Sequence, residues 1–144
     1  MNLRAHLDAM LRGDVAPPPV AELLGLRLVS VADGEVVFEL DVRPEHANPM
    51  GTIQGGVICA LADAAMGLAY ASRLEDGESF TTLELKINFL RPVWTATLTA
   101  EGFVVHRGRS VGLAECSITD EKGRLIARAT STCLTLRGEQ ATGR

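Results

Sequence analysis

Apolar and polar residues alternate in steps of two through much of this chain, and one stretch breaks the rhythm. From Val57 to Ala71 nearly every residue is apolar, with a single charge at Asp63. The run is too long for a strand, since strands usually end within about ten residues. Its alanines and leucines favour helix. Apolar residues on all sides mark a helix buried in a core. A helix from Gly55 to Ser72 would be about 27 Å long at ~1.5 Å per residue. A membrane span needs roughly 20 apolar residues without a central acid, which argues against that alternative.

Before this run, Asn2 to Leu11 fits an amphipathic helix with Leu3, Leu7, Met10 and Leu11 on one face. Gly13 can stop it, Pro17 to Pro19 make a stiff link, and Val20 to Leu24 fit a short helical turn closed by Gly25. Leu26 to Ala32 reads as a strand, and Asp33-Gly34 is a hairpin signal. Glu35 to Val42 follows, with Val36, Phe38, Leu40 and Val42 facing one way and Val37, Glu39 and Asp41 the other. His46 to Gln54 is the loop into the long helix.

After Gly77, four segments read as strands: Phe80–Leu90, Thr95–His106, Val111–Thr119 and Arg124–Leu136. In the first, Leu83, Leu85, Ile87 and Phe89 are expected on one face. The tail from Arg137 is polar and expected to fray. Two strands, one buried helix and four strands without a βαβ repeat give an α+β fold with an antiparallel sheet. The simplest packing wraps the sheet around the helix. The expected organisation is an N-terminal helical segment (1–25), one domain (26–137) and a polar tail (138–144).

Composition changes this picture little. A chain of 144 residues with 47% hydrophobic and 22% charged residues suits a single globular domain. The net charge of -4, without a basic run, argues against a nucleic-acid partner. Cys59, Cys116 and Cys133 are odd in number and scattered, which predicts no disulfide or zinc framework and a reduced, cytoplasmic setting. Residues 1 to 12 carry Arg4, Asp8 and Arg12 in place of a signal-peptide apolar region.

Asp63 carries the first chemical hint. An ionised carboxylate in an apolar core costs several kcal/mol unless paired. The positions at i±3 and i±4 hold Cys59, Ala60, Met66 and Gly67, so no cation lies beside it on the helix. It is either a reactive carboxylate facing a cleft or interface, or an acid paired with a distant residue. The glycines before the helix carry the second hint. Helix N-termini present free N–H groups and partial positive charge, and Gly55 and Gly56 let a ligand approach them. An oxyanion could sit there; a tight turn explains the glycines equally.

Gly55 and Asp63 stand eight residues apart, about 12 Å along a helix. Reacting groups must come within ~3–3.5 Å, so one carbonyl cannot touch both. If both serve one reaction, they come from two chains, which predicts a symmetric dimer with shared sites.

No nucleophile elbow, P-loop or dinucleotide-binding motif is present. His6, His46 and His106 lack metal spacing, and His46 is the best placed of them because it enters the key loop. Cys59, without a basic neighbour, reads as packing. Arg107 and Arg109 flank Gly108 at a turn and suit either phosphate or plain solvent. Met50, Met66, Leu68 and Phe80 are candidates for a pocket lining or for plain core.

The segment H-A-N-P-M-G-T-I-Q-G-G-V-I-C-A-L-A-D-A-A-M-G-L-A, from His46 on, resembles the signature of hotdog-fold acyl-CoA thioesterases of the phenylacetate-degradation (PaaI) type, in the 4-hydroxybenzoyl-CoA thioesterase superfamily. That signature runs approximately N-x-x-G-x-x-H-G-G-x-x-x-x-L-x-D. The segments I-N-F-L-R-P, H-R-G-R-S and D-E-K-G-R-L-I-A follow in the right order, and the resemblance covers roughly Leu24 to Leu136. It implies a hotdog fold, a homodimer that can pair into a dimer of dimers, and an acyl-CoA substrate with no separate cofactor or metal.

The resemblance assigns Asp63 as general base or nucleophile and the Gly55 N–H as the group that polarises the thioester carbonyl. It gives Asn48 an orienting role. It places Thr82, with Thr81 as rival, beside the attacking water. Gly56, Arg107, Arg109 and Ser110 fall at substrate-binding positions. Gln54 stands where the usual pattern has histidine; glutamine can orient or donate but does not titrate near neutral pH. Two other readings stay open: a non-catalytic acyl-CoA binder, and a hotdog enoyl-CoA hydratase or dehydratase that would draw on His46.

Overall fold

The computed structural model describes residues 2–143; Met1 and Arg144, the ends of the expected segments 1–25 and 138–144, lie outside the described residues. In chain order the elements are helix α1 (Leu3–Arg12), helix α2 (Pro19–Leu24), strands β1 (Leu26–Ala32) and β2 (Glu35–Asp41), helix α3 (Gly55–Ala71), and strands β3 (Ser79–Phe89), β4 (Thr97–Arg107), β5 (Val111–Thr119) and β6 (Leu125–Leu136). The six strands form one antiparallel sheet in the order β1-β2-β4-β5-β6-β3.

The sheet wraps α3, which touches every strand; this is the hotdog arrangement. Leu61, Ala62, Ala65, Met66 and Ala69 on α3 are fully buried against Leu40, Leu98, Ala100, Ala114 and Ile118 of the sheet. The contact is close because of Gly102 on β4. A Cβ there would sit 2.5 Å from the backbone of Ala65, so no larger residue lets the sheet come this near. α1 and α2 pack on β1 at the edge of the sheet.

Strand β2 keeps the expected alternation, with Val36, Phe38 and Leu40 buried. Strand β3 does not. A β-bulge lies between Thr82 and Glu84, where the partner strand β6 steps by one residue and β3 by two. Phe80 and Thr82 pair with Thr135 and Cys133; past the bulge Leu85, Ile87 and Phe89 pair with Ser131, Ala129 and Ala127. All five partners are buried, so the inner face of β3 reads Phe80, Thr82, Leu85, Ile87, Phe89. Leu83, expected on that face, is 56% exposed. In the tail, Gly138–Ala141 forms a 3-10 turn with no buried residue.

Candidate active site

The expectation of a helix buried on every side is corrected by one face of α3. Gly56, Cys59, Ala60 and Asp63, at steps of three and four, share a face that is only partly covered. They border an open groove with Thr82 to Leu85 of β3, an edge strand paired on one side only, with β6. Asp63 is exposed there, so the desolvation cost of a buried charge does not arise in the single chain.

The bulge re-aims β3 at Asp63. Thr82 Oγ1 donates a hydrogen bond to Asp63 Oδ1 at 3.1 Å, a use of bulges that recurs beside functional sites. Thr81 has the opposite strand parity, so Thr82 is the hydroxyl that reaches the carboxylate. Cys59, one turn before Asp63, has its thiol pushed up by burial and then by the Asp63 charge. Burial likewise pushes the Cys133 thiol up and takes that of Cys116 to about 12. None of the three is an activated thiolate.

Gly55 opens the first turn of α3, where N–H groups lack helical partners. It borders a different cleft, of about 340 Å³, with Asn48, Thr52, Phe89, Leu90 and Arg91. The Phe89 ring lies over it: a Cβ on Gly55 would fall 2.9 Å from that ring. The structure thus separates the Gly55 cleft from the Asp63 groove within one chain.

The loop before α3 is held by its own side chains. Asn48 Oδ1 accepts from the N–H groups of Met50 and Thr52, and its Nδ2 donates to Thr52 Oγ1 at 2.8 Å. Gln54 is exposed and makes no side-chain cap; its N–H donates to the His46 carbonyl at 2.8 Å. His46, the best-placed histidine in the sequence, is 3% exposed. Its Nδ1 accepts from the Arg43 N–H at 3.0 Å and its Nε2 faces the Leu24 carbonyl at 2.9 Å. Both nitrogens are occupied, so His46 is structural and the histidine-based hydratase reading loses its base.

Arg107, Arg109 and Ser110 border a polar cavity of about 640 Å³ with Glu75, Glu78 and Arg137. Arg107 is committed to the protein: it ion-pairs with Glu78 and donates to the Arg73 carbonyl. Arg137 pairs with the same carboxylate at 2.6 Å. Burial pushes the Glu78 carboxyl up, but the Glu75 N–H, Arg137 and Arg107 outweigh it and hold it low. Arg109 is exposed, and its guanidinium has no partner among the described residues; only its carbonyl is used, by Arg137. Among the described residues no group of three or more His, Cys, Asp or Glu comes together to hold a metal ion. No described helix is long and apolar enough to cross a membrane.

A third cavity, of about 220 Å³, opens beside Asp63 and Thr82. Of the four candidates for pocket lining or plain core, Leu68 and Phe80 line it; Met50 is 80% exposed and Met66 lies in the core, so neither does. Met10, Pro17, Pro18, Val20 and Ala21 of the N-terminal segment also line it. Nothing in the sequence pattern linked them to Asp63, beyond a proline-stiffened apolar stretch that needed something to pack on.

Residues 50–127 match the thioesterase superfamily. The chain is 32% identical over 111 residues to the 1,4-dihydroxy-2-naphthoyl-CoA hydrolase of Listeria monocytogenes, covering 77% of this chain and 90% of that one. It is 28% identical over 109 residues to human acyl-coenzyme A thioesterase 13, covering 74% and 77%. Among solved structures, the PaaI protein from the phenylacetic acid degradation operon of Escherichia coli superposes with a TM-score of 0.81 at 25% identity, covering 94% of this chain and 95% of that one.

Proposed function

The chain belongs to the thioesterase superfamily and is a thioester hydrolase; from that premise we propose that it cleaves an acyl-CoA to the free acid and coenzyme A, at sites shared between two copies of itself. The observation that carries the shared site is the placement of Gly55 and Asp63. They stand on one helix, about 12 Å apart, and face different openings. Two helices running antiparallel across a two-fold axis bring the Gly55 of each beside the Asp63 of the other. The surfaces for this contact are the open face of α3 and the unpaired edge of β3, an eleven-residue strand carrying Leu83 and, 51% exposed, Phe89. An edge of that length with exposed apolar residues favours pairing.

In this reading the thioester carbonyl accepts from the Gly55 N–H, where the helix dipole favours developing negative charge. Thr82 occupies Oδ1 of Asp63, leaving Oδ2 to take a proton from water. The water oxygen bonds to the carbonyl carbon, the C–S bond breaks, and the thiolate of coenzyme A leaves with the proton held by Asp63. Asn48, which borders the Gly55 cleft, and Gln54, next to Gly55 in the chain, serve as orienting groups on the carbonyl side. Arg109, rather than the already paired Arg107, meets the coenzyme A phosphates, with Ser110 beside it.

A thiol-release assay tests the function. Wild-type protein is expected to release coenzyme A from acyl-CoAs. Arg109→Ala should raise KM about tenfold for acyl-CoA at low salt, less at high salt, and leave truncated acyl-pantetheine thioesters unaffected. Binding of acyl-CoAs without any thiol release would instead make this a non-catalytic acyl-CoA protein.

Thr82→Val keeps the side-chain shape and removes the donor to Asp63. The expected result is about a tenfold lower kcat with little change in KM, in line with ~1.5–3 kcal/mol for a hydrogen bond to a charged group, partly replaced by water. Unchanged turnover would remove Thr82 from the site.

A further inference from the structure

We propose, building on the hydrolase reading above, that the cavity beside Asp63 selects an apolar acyl group without hydroxyls, of about hexanoyl-to-octanoyl or phenylacetyl size, and that the N-terminal segment sets its upper limit.

Chemistry decides the first half. Of the fourteen residues that line this cavity, Gly67 included, only Asp63 and Thr82 have polar side chains, and they hydrogen-bond to each other. The rest are Leu26, Leu28, Phe38, Leu68, Phe80 and similar groups. A hydroxyl carried into the far end would leave water and find no side-chain partner, which costs enough to lower affinity about tenfold to a hundredfold.

Size decides the second half. The space exists because α3 presents Ala64 and Gly67 here; a Cβ on Gly67 would already sit 3.3 Å from the Phe80 ring. An apolar cavity of ~150 Å³ just encloses benzene. At about 220 Å³ this one is larger. Taking ~30 Å³ per methyl-sized group, a water's share of liquid volume, it holds about seven such groups. A phenylacetyl group or a chain of about six to eight carbons fills it. A dihydroxylated naphthoyl group exceeds the volume and brings two hydroxyls that find no partner.

The limiting wall is the N-terminal segment. Phe38, Leu26 and Ala21 are buried, whereas Pro17, Pro18 and Val20 lie exposed at the solvent side of the same cavity, with Met10 of α1 beside them. The prolines fix the backbone of this strap, because each ring locks φ near −65°. A longer acyl chain meets that wall before it meets water.

The test uses thiol release across saturated acyl-CoAs from two to sixteen carbons, with phenylacetyl-CoA and 4-hydroxyphenylacetyl-CoA alongside. The expected kcat/KM profile peaks at six to eight carbons and falls about tenfold by twelve. 4-Hydroxyphenylacetyl-CoA should be at least about tenfold poorer than phenylacetyl-CoA. In the double variant Met10→Ala, Val20→Ala, the ratio of dodecanoyl to hexanoyl turnover should rise about tenfold. An unchanged ratio in the folded variant, or equal turnover of the two phenylacetyl substrates by wild type, overturns the proposal. The same ligands are measured by calorimetry on Asp63→Asn protein. If wild type releases no thiol, the hydrolase reading fails, while the Kd ranking by length and hydroxylation still decides what the cavity selects.

Discussion

Asp63→Asn is expected to lower kcat by about 10²- to 10⁴-fold, the range that a positioned general base contributes, while the melting temperature stays close to that of the wild type. The substitution is nearly isosteric, and the amide oxygen still accepts from Thr82. What it removes is the negative charge and the capacity to take a proton. Asp63 makes no ion pair among the described residues and is exposed in the single chain; in the proposed dimer its neutralisation removes a desolvation cost rather than a contact, so stability should fall by no more than about 0.5 kcal/mol. Cys59 offers an independent check that the charge has gone. Its thiol is raised by burial and additionally by Asp63, so the variant's Cys59 should titrate lower and react faster with thiol reagents at mildly alkaline pH. A folded variant with faster Cys59 labelling and more than about a tenth of wild-type turnover would show that Asp63 is not the group that activates water.

The parts of this site legible in the sequence are those fixed by local contrast. A lone carboxylate in a run of fifteen otherwise apolar residues stands out whatever surrounds it, and so do the glycines Gly51, Gly55 and Gly56 just ahead of the run. Strand β2 was legible because its alternation continues unbroken. Strand β3 departs from its pattern: Leu83, Leu85, Ile87 and Phe89 alternate well in the sequence, while the bulge that puts Phe80 and Thr82, and not Leu83, on the face of Leu85, Ile87 and Phe89 is a property of the pairing with β6. His46 is the best placed of the three histidines in the sequence because it enters the key loop; the Arg43 N–H and Leu24 carbonyl that occupy it are contacts no spacing rule reveals. Arg107 looked free because its partner Glu78 lies 29 residues away. The residues of the helix are apolar all round, but composition does not say which face the same chain covers. That open face and the edge of β3 beside it are what the shared-site proposal explains.

The largest qualitative effect is expected from mixing two inactive proteins. Gly55→Val puts a side chain against the Phe89 ring, where even a Cβ would be 2.9 Å away, and over the N–H proposed to receive the oxyanion. Loss of one such donor typically costs about 10²–10³ in kcat, so Gly55→Val homodimers should be nearly silent, as should Asp63→Asn homodimers. Refolding the two together at equal amounts lets chains assort at random, and about half the dimers are then mixed. In each mixed dimer one site is broken twice. The other pairs the intact Gly55 of the Asp63→Asn chain with the intact Asp63 of the Gly55→Val chain. The mixture should therefore regain about a quarter of wild-type activity, and mixed dimers purified through two different tags about half. No averaging of two silent proteins can produce that gain. A site assembled within one chain predicts none, because every chain in the mixture carries one lesion in its own site. The same preparation, carrying Leu83→Lys on β3 in both chains, should lose the gain together with the dimer peak in size-exclusion chromatography, since a charge on an exposed edge opposes strand pairing.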